Sequence, residues 1–523
     1  MKNYDIIVIG SDINCLVAAA LLKINTNNSV VVIEPTHYFG RQTSEYEFFK
    51  NFRSNLIYDY IDWLDDSLIK KLNLGKFGLN IVEHELYRVS LNKNMQHLKF
   101  YKNFLKTSNS IKPHSVNDSK NWKLFSEHIE KITSLLEPIY KMTPPNLSNI
   151  SFKDSISILN LLKPLKNHGT RGLVDFIRTI PMMMPELLDE WFESDFLKAS
   201  LAVSGIKNIT QGPFSAATGL NFLHHHINCK GHIHQNIFID GGTYNLTKSL
   251  LNFLNINNVD VIKNTPIESI ISSNNTASGI MLTNGKKITS NMIVSGLDPK
   301  NTFIDLIGLQ KLEPSFQTQL NNIKYRGSVA RIFFALKDLP NISGVKTEEL
   351  SEIFSISPSI EYLEKAYDDA KYGKISSDPA IEFSIPSIRC PHFAPKNQHV
   401  LSATVQYAPY KLKNNSWNDS VKDNLIKSVT NILGNYITDF RNIILNTTLL
   451  TPKDLEEKIG LHEGSLNHGE MTLDQFLFMR PTISTAQYKT PIKNLYLCGS
   501  GTHPGGGAHG RNGINSALQI LKR

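Results

Sequence analysis

The chain has 523 residues, too many for one hydrophobic core, so its length predicts two or three domains. Hydrophobic residues make up 41% and charged residues 20%, a composition that excludes a wholly disordered chain. The formal net charge of +8 has two interpretations: attraction to an anionic membrane surface or nucleic acid, or a lysine-rich bias spread over the surface. The lack of a dense Lys/Arg run favours the second.

The four cysteines are far apart in the sequence and form no Cys-x-x-Cys pair, which favours a reducing compartment over a disulfide framework. A first strand that begins near Tyr4 predicts that there is no signal or transit peptide. No apolar run reaches the roughly 18 residues of a membrane-spanning helix. We therefore expect a cytoplasmic protein, with peripheral membrane contact left open. We expect no nucleic-acid partner, because no motif supports one.

The first 34 residues predict a βαβ unit. Asp5–Gly10 (DIIVIG) is a short apolar run typical of a buried parallel strand, and Asn14–Ile24 is apolar nearly all round, as in a helix packed on a sheet. Val30–Glu34 (VVVIE) is a second buried strand. The turn before such a helix presents unpaired N–H groups at a positive helix end, a site for a pyrophosphate.

The usual phosphate fingerprint, G-x-G-x-x-G, survives only in part in this turn, which reads GSDINC from Gly10 to Cys15. Glu34 stands where an acid would accept from ribose hydroxyls. At about 4 Å, Asp12 would repel a pyrophosphate by about 1–4 kcal/mol per charge pair unless its side chain points to water or Arg41 lies nearby. Cys15 adds bulk between helix and strand, at a cost of about 1–3 kcal/mol if nothing adjusts.

The pattern from roughly Asn51 to Leu223 is helical. Leu124–Tyr140 and Glu186–Val203 have the apolar spacing of amphipathic helices. Further strands follow from Val259 on, with a hairpin turn at Asn284-Gly285. The strands from Val329 onwards alternate in a way that suits a half-exposed antiparallel sheet.

The strongest signal is the C-terminal segment Asn494–Leu521. A strand ends at Gly499, three glycines (Gly505–Gly507) lie ahead of a final helix, and such glycines let a backbone lie flat against a planar ligand. A plain glycine-rich loop would explain the glycines but not the flanking strand and helix.

This segment resembles the C-terminal flavin-binding segment of phytoene-desaturase-related FAD oxidoreductases. It is especially similar to the subgroup of pyridine nucleotide-disulfide oxidoreductase domain-containing protein 2. The resemblance covers nearly the whole chain. It is carried, in order, by the segments Asp189–Ala202, Gly212–His225, Ile239–Leu250, Ile293–Phe303, His468–Pro481 and Leu495–Gly507.

The resemblance implies that FAD is the cofactor, with its adenosine and pyrophosphate near the first turn and its isoalloxazine near the triple glycine. The residues that it places at the cofactor are Gly10, Asp12, Ile13, Asn14, Glu34, Gly40, Arg41, Ile267, Gly499, Ser500, Gly506, Gly507 and Asn515. The family normally has glycine at Asp12, Cys15 and Arg41, and all three departures fall on cofactor positions.

The fold implied is α/β: a Rossmann-like FAD-binding domain of the glutathione-reductase type, with a discontinuous α+β substrate domain as in amine oxidases and phytoene desaturases. We predict that residues 1–49, 236–309 and 466–523 form the FAD domain, and that residues 50–235 and 310–465 form the substrate cap. The two ends of the chain must then meet around one nucleotide.

A histidine-rich segment, His224–His234, also holds Cys229 and has the density of a zinc site without the spacing of a finger. We predict no metal here and interpret these histidines as titratable groups near a domain seam. His503 and His509 flank the triple glycine, either as donors to a flavin carbonyl or as caps of the loop.

The predicted function is FAD-dependent oxidation or desaturation of an apolar, carotenoid- or isoprenoid-like molecule. Flavin chemistry needs no acid–base dyad in the sequence, so the catalytic residues and the oligomeric state stay open. One alternative is a degenerate Rossmann scaffold with weak or no FAD binding, which the fingerprint losses favour. A nicotinamide dehydrogenase ranks last, because it gives the glycine-rich segment no role.

Overall fold

The computed structural model describes residues 2–145, 169–413 and 416–522. Two seven-stranded sheets organise the chain, and helices cover them. The strands, in chain order, are β1 Lys2–Ile9, β2 Val30–Ile33, β3 Glu45–Phe49, β4 Phe52–Asn55, β5 Ile81–Val82, β6 Leu86–Ser90, β7 Leu98–Tyr101, β8 Phe238–Ile239, β9 Asp260–Ile262, β10 Ile267–Ser273, β11 Thr276–Leu282, β12 Lys287–Ser295, β13 Val329–Leu336, β14 Asn341–Ile342, β15 Ile353–Ile356, β16 Ile381–Ser384, β17 His399–Gln406, β18 Ile437–Thr438, β19 Ile444–Leu450 and β20 Leu495–Leu497.

The α-helices, in chain order, are α1 Ile13–Asn25, α2 Asp66–Leu72, α3 Phe104–Ile111, α4 Val116–Lys141, α5 described over 169–179, α6 Met184–Asp189, α7 Asp195–Ile206, α8 Thr218–His225, α9 Tyr244–Ile256, α10 Pro314–Asn321, α11 Ile360–Lys371, α12 Asp419–Gly434, α13 Phe440–Ile443, α14 Pro452–Ile459 and α15 Arg511–Leu521. Among the described residues, no helix combines the length and apolarity needed to cross a bilayer.

The first sheet has the order β10-β11-β12-β1-β2-β9, with β20 paired to β12. β1 lies parallel to both β2 and β12, and β20 is parallel to β12, so the centre of this sheet is parallel. The predicted βαβ unit is confirmed, because α1 connects β1 to β2 and packs against α9 and α15. The first ten residues of α1 are buried, as its all-round apolar sequence predicts.

The second sheet has the order β19-β13-β17-β16-β15-β6-β7 and is mostly antiparallel. The prediction of half-exposed strands is wrong for β13, whose eight residues are all buried. Its alternate residues enter two different cores: Ile332 and Phe334 pack on one side, and Val329 and Phe333 on the other. A central strand covered on both faces loses the polar alternation of an exposed one.

The region predicted as helical from Asn51 to Leu223 also contains β4, β5, β6 and β7, so that prediction is wrong in part. Residues 146–168 of it lie outside the described residues. The single helix predicted over Glu186–Val203 is two helices, α6 and α7. The break arises because Asp118 on α4 accepts the N–H groups of Glu193 and Ser194, each at 2.8 Å, and the Ser194 hydroxyl then caps α7.

All strands of the first sheet come from the three segments predicted to form the FAD domain. All strands of the second sheet come from the two segments predicted to form the cap. This distribution follows the predicted discontinuity, and the boundaries themselves stay a prediction.

Candidate functional site

The turn between β1 and α1 is buried throughout, and a side chain of the chain itself caps its helix end. Gly10 has a φ of 102°, a conformation that glycine permits, and its N–H donates to the Ile33 carbonyl at 2.8 Å. The Asp12 carboxylate accepts the Cys15 N–H at 2.9 Å, so it holds an amide at the positive end of α1. Ile13 and Asn14 follow at 1% exposure each. The predicted anion site therefore faces a carboxylate of the chain's own.

Asp12 is buried beside a cation. Burial raises the pKa of the Asp12 carboxyl, while the Cys15 amide and the charge of the Arg41 guanidinium oppose that rise. Of the two ways in which the sequence allowed repulsion of a pyrophosphate to be relieved, a side chain that points to water or a nearby Arg41, the structure has the second, because Asp12 is buried and Arg41 acts on it.

Cys15 is accommodated rather than crowded. Its side chain is 0% exposed and lies over Gly296, where an added Cβ would come within 1.8 Å of Sγ. The Cys498 side chain, just after β20, is a hydrogen-bonding neighbour of the Cys15 thiol. The two cysteines are therefore adjacent in space although 483 residues separate them in the sequence, and both are free thiols.

The carboxylate of Glu34, at the end of β2, is saturated with hydrogen bonds. It accepts from the Ser11 hydroxyl at 2.7 Å, and from the Thr36 N–H and hydroxyl at 2.8 and 2.7 Å. Arg41 Nε also lies 3.2 and 3.3 Å from its two oxygens, and the two side chains are 4% and 0% exposed. Gly40, at φ 90°, donates its N–H to Ser11 Oγ at 2.8 Å and closes the cluster. The position predicted for the ribose thus holds an internal ion pair.

The two ends of the chain meet at this turn, as predicted. Asn14 Nδ2 donates to Ser500 Oγ at 3.3 Å, and Gly499 approaches the backbone so closely that a Cβ there would lie 2.2 Å from the Gly296 carbonyl. The Asn14 Oδ1 atom is buried without a partner. Asn515 is turned toward the cap instead, because its Nδ2 donates to the Tyr140 carbonyl on α4 at 2.8 Å.

The triple-glycine loop is lined by rings and amides. The Gly506 carbonyl lies 2.8 Å from His224 Nε2 and 3.1 Å from His509 Nε2. Gly507 adjoins the His509 ring, which stacks on Trp63 with centroids 4.0 Å apart and planes 6° apart. Burial lowers the pKa of His509 to about 3, so this ring is neutral at pH 7. His503 turns away, with Nε2 on the Ile139 carbonyl at 2.8 Å.

Ile267 stands apart from the other predicted residues. It begins β10, pairs with Leu282 and is half-buried. The nearby Thr265 donates its N–H to the Glu34 carbonyl at 2.9 Å, so the segment that leads to Ile267 passes the end of β2.

Three residues beside the loop are not predicted by the sequence: Trp63, Asn467 and Arg480. Arg480 is 1% exposed, and its guanidinium donates to the Asn467 and Ser500 carbonyls at 2.6 and 3.0 Å. Asn467 covers Gly506, where a Cβ would lie 2.0 Å from its Oδ1. Arg480 belongs to the family-like segment His468–Pro481, so its presence in that segment was the available signal. Trp63 had none.

The histidine-rich segment is engaged in contacts within the protein. His224 lies 2.9 Å from the Tyr140 hydroxyl, His225 lies 2.9 Å from Asp62, and His226 Nε2 accepts the His234 N–H at 3.1 Å. Over the part of the chain that the structure describes, no group of three or more His, Cys, Asp or Glu side chains is arranged to hold a metal ion.

A charged cluster connects this segment to the second sheet. Lys207 Nζ lies 2.7 Å from Asp62 and 2.9 Å from the Tyr60 hydroxyl, and Arg88 pairs with Glu382 at 2.6 Å. Trp63 also borders an open cavity of about 350 Å³, whose lining includes apolar Leu64, Ile69 and Ile237 and a larger number of polar and charged residues, His84 and Lys102 among them.

The turn has a hydrogen-bond donor and an acceptor suited to the diphosphate and ribose of FAD, but the two groups are bound to each other. Arg41 Nη1 is buried without a partner and is a free donor for an anion, and Glu34 is an acceptor at the end of β2. Both groups are held by each other, so a nucleotide can reach them only if Arg41 leaves Glu34.

Sequence similarity to known proteins extends over the whole chain. No family model matches it. Pyridine nucleotide-disulfide oxidoreductase domain-containing protein 2 of Rattus norvegicus is 28% identical over 99% of this chain and 93% of its own length. A limonene dehydrogenase component of Castellaniella defragrans is 24% identical over 100% and 95%. A lycopene-forming phytoene desaturase of a Paracoccus species is 24% identical over 62% and 60%.

Solved structures share the fold. An oxidoreductase from Methanosarcina mazei aligns with a TM-score of 0.59 at 14% identity over the full length of both chains. Cyclohexylamine oxidase from Brevibacterium oxydans aligns with a TM-score of 0.58 at 12% identity over 99% of both. The fold is therefore the predicted one, a Rossmann-type sheet domain with a separate substrate domain. The sequence similarity to pyridine nucleotide-disulfide oxidoreductase domain-containing protein 2 runs over nearly the whole chain, so the predicted resemblance to phytoene-desaturase-related FAD oxidoreductases is confirmed.

Proposed function

We propose that the chain itself binds FAD and oxidises or desaturates an organic substrate. The observation that carries this proposal is the meeting of the two chain ends through Asn14 and Ser500, which brings the β1–α1 turn and the glycine-rich loop together. Bound FAD would supply the hydride acceptor, and the protein supplies orientation and exclusion of water. Glu34 would hold its ribose end, and the loop around Gly506 would face its ring.

The substrate that we propose has a largely apolar body. Two relatives are named for apolar hydrocarbons, limonene and phytoene. The cavity of about 350 Å³ beside Trp63 has the volume of a small-molecule site, and Trp63 both lines it and stacks on His509 of the glycine-rich loop. Because His84 and Lys102 also border the cavity, a polar end on the substrate would find partners there.

Two measurements on the purified full-length protein test cofactor binding: an absorbance spectrum after gel filtration, and a titration with FAD followed by flavin fluorescence. We expect saturable one-to-one binding of added FAD, and reduction of the bound flavin by a substrate. Titration without saturation in both the wild type and Arg41→Gly would reject the proposal.

A second candidate function is a scaffold of the same fold without a redox role. The observation that favours it is the closed turn, in which Asp12 accepts the Cys15 N–H and Arg41 pairs with Glu34. The scaffold predicts a colourless protein that FAD neither binds nor stabilises against heat, so the same titration separates the two candidates.

A further inference from the structure

Arg41 holds an unusual backbone conformation at the centre of the closed turn. Its φ is 49°, in the left-handed region that a non-glycine residue adopts at a cost, and it follows Gly40 at φ 90°. The conformation places the buried guanidinium against Glu34 and leaves Nη1 without a partner. A glycine would adopt this backbone freely, so the arginine side chain is what strains the position.

Glu34 has no capacity left for a ribose while Arg41 stays in place. A carboxylate offers about four lone-pair sites. Ser11 and the two donors of Thr36 take three of them, and Arg41 Nε lies within reach of both oxygens. A ribose hydroxyl that donates to Glu34 must therefore displace one of these donors, and Arg41 is the only one of them on a long flexible side chain.

The N-terminus of α1, beside this pair, is likewise occupied by a side chain of the protein. The Asp12 carboxylate holds the Cys15 N–H, and Arg41 is its neighbouring cation. An added diphosphate must share this helix end with a like charge. A nucleotide therefore meets two obstacles at this turn: the Arg41–Glu34 pair occupies the ribose acceptor, and the Asp12 carboxylate occupies the helix end.

From this juxtaposition we infer that Arg41 is a latch on the nucleotide site: its pair with Glu34 keeps the turn closed, and FAD binds only in competition with that pair. The inference rests on the proposed function and adds to it a residue that controls cofactor loading. Binding by the wild-type chain is then weak and is opposed by the protein's own side chain.

The test compares FAD affinity and FAD-induced thermal stabilisation of the wild type with those of Arg41→Gly, in the full chain. We expect Arg41→Gly to bind FAD about tenfold or more tightly, equivalent to about 1.4 kcal/mol, because the closed pair is gone and the backbone strain with it. Arg41→Asn is a second variant, since asparagine also tolerates the left-handed region. Arg441→Gly removes the same charge from the protein surface and should leave FAD affinity unchanged.

The outcomes are distinct. A wild-type protein that keeps stoichiometric FAD through gel filtration overturns the latch but leaves the proposed function standing. Weaker binding by both Arg41 variants also overturns the latch, because Arg41 would then only contribute to affinity. If wild type, Arg41→Gly and Asp12→Gly/Arg41→Gly are all folded by circular dichroism and none binds FAD, the latch and the proposed function both fail.

Discussion

Replacing Gly296 by alanine tests how this fold accepts a cysteine in its first helix. The added Cβ would lie 1.8 Å from Cys15 Sγ and 3.3 Å from the Ile9 carbonyl, whereas non-bonded heavy atoms prefer about 3.5–4.0 Å. A shift of about 2 Å is needed between two buried elements, α1 and the end of β12. We expect a cost near the upper end of the usual overpacking range, about 3 kcal/mol.

The thiol should account for most of that cost, and a double-mutant cycle isolates it. Cys15→Gly alone loses about 1 kcal/mol as a glycine within a helix. In the Cys15→Gly background, Gly296→Ala should cost at least about 1 kcal/mol less than in the wild type, because its methyl group enters the space that Sγ leaves. Thermal unfolding of the four proteins measures the coupling, and Gly75→Ala is the control, with nothing within 4 Å of its added Cβ. Equal losses in both backgrounds would refute this account of the contact.

Two further predictions concern ionisable groups inside the protein. Lys207→Met should destabilise the protein by about 1–3 kcal/mol, because the half-buried Asp62 loses the cation 2.7 Å away but keeps its contact with His225, whereas Lys248→Met on the exposed side of α9 should leave thermal stability nearly unchanged. Stability should also fall as pH drops from about 6.5 toward 3, at about 1.4 kcal/mol per pH unit for each buried neutral histidine. The sign follows because burial lowers the pKa of His226 and of His509 to about 3, so the unfolded chain takes up these protons first. Urea midpoints between pH 7 and 5 measure the slope. His226→Gln should flatten it and exposed His392→Gln should not, and an unchanged slope in His226→Gln would count against its buried neutral state.

Local patterns predicted the parts of the fold that depend on local sequence. The sequence pattern predicted the unit formed by β1, α1 and β2, because a short apolar run, a fully apolar helix and a second apolar run are typical of a buried βαβ unit. The split between α6 and α7 was not readable, because Asp118, about 75 residues earlier, takes the two N–H groups at the break. The burial of β13 was hidden for a similar reason: covering layers on both faces come from distant segments.

The candidate site was predicted as a set of positions and not as a set of contacts. Sequence reasoning placed Gly10 and Asp12 at the first turn and Glu34 at the end of the second strand, and the family resemblance added Arg41 as a cofactor position. The structure brings these residues together. It could not foresee that Arg41 adopts a left-handed backbone and pairs with Glu34, since seven residues of separation in a loop leave the direction of a side chain open. Trp63 and Arg480 reach the glycine-rich loop only through long-range packing.

The structure accommodates the replacement of glycine by Asp12, Cys15 and Arg41 through compensating changes in packing and charge. The Cys15 side chain lies against Gly296, and burial raises the pKa of its thiol, so it adds bulk and no charge. Asp12 and Arg41 bring opposite charges to the same turn: one neutralises the helix end and the other neutralises Glu34. Restoring glycine at Asp12 alone leaves the pair with Glu34 closed, and restoring it at Arg41 alone leaves a carboxylate on the helix end. Because each replacement offsets the electrostatic consequence of the other, the turn is stable while the Arg41–Glu34 pair is formed. The affinity for a nucleotide then depends on the free-energy cost of moving both the Asp12 carboxylate and the Arg41 guanidinium out of their present contacts.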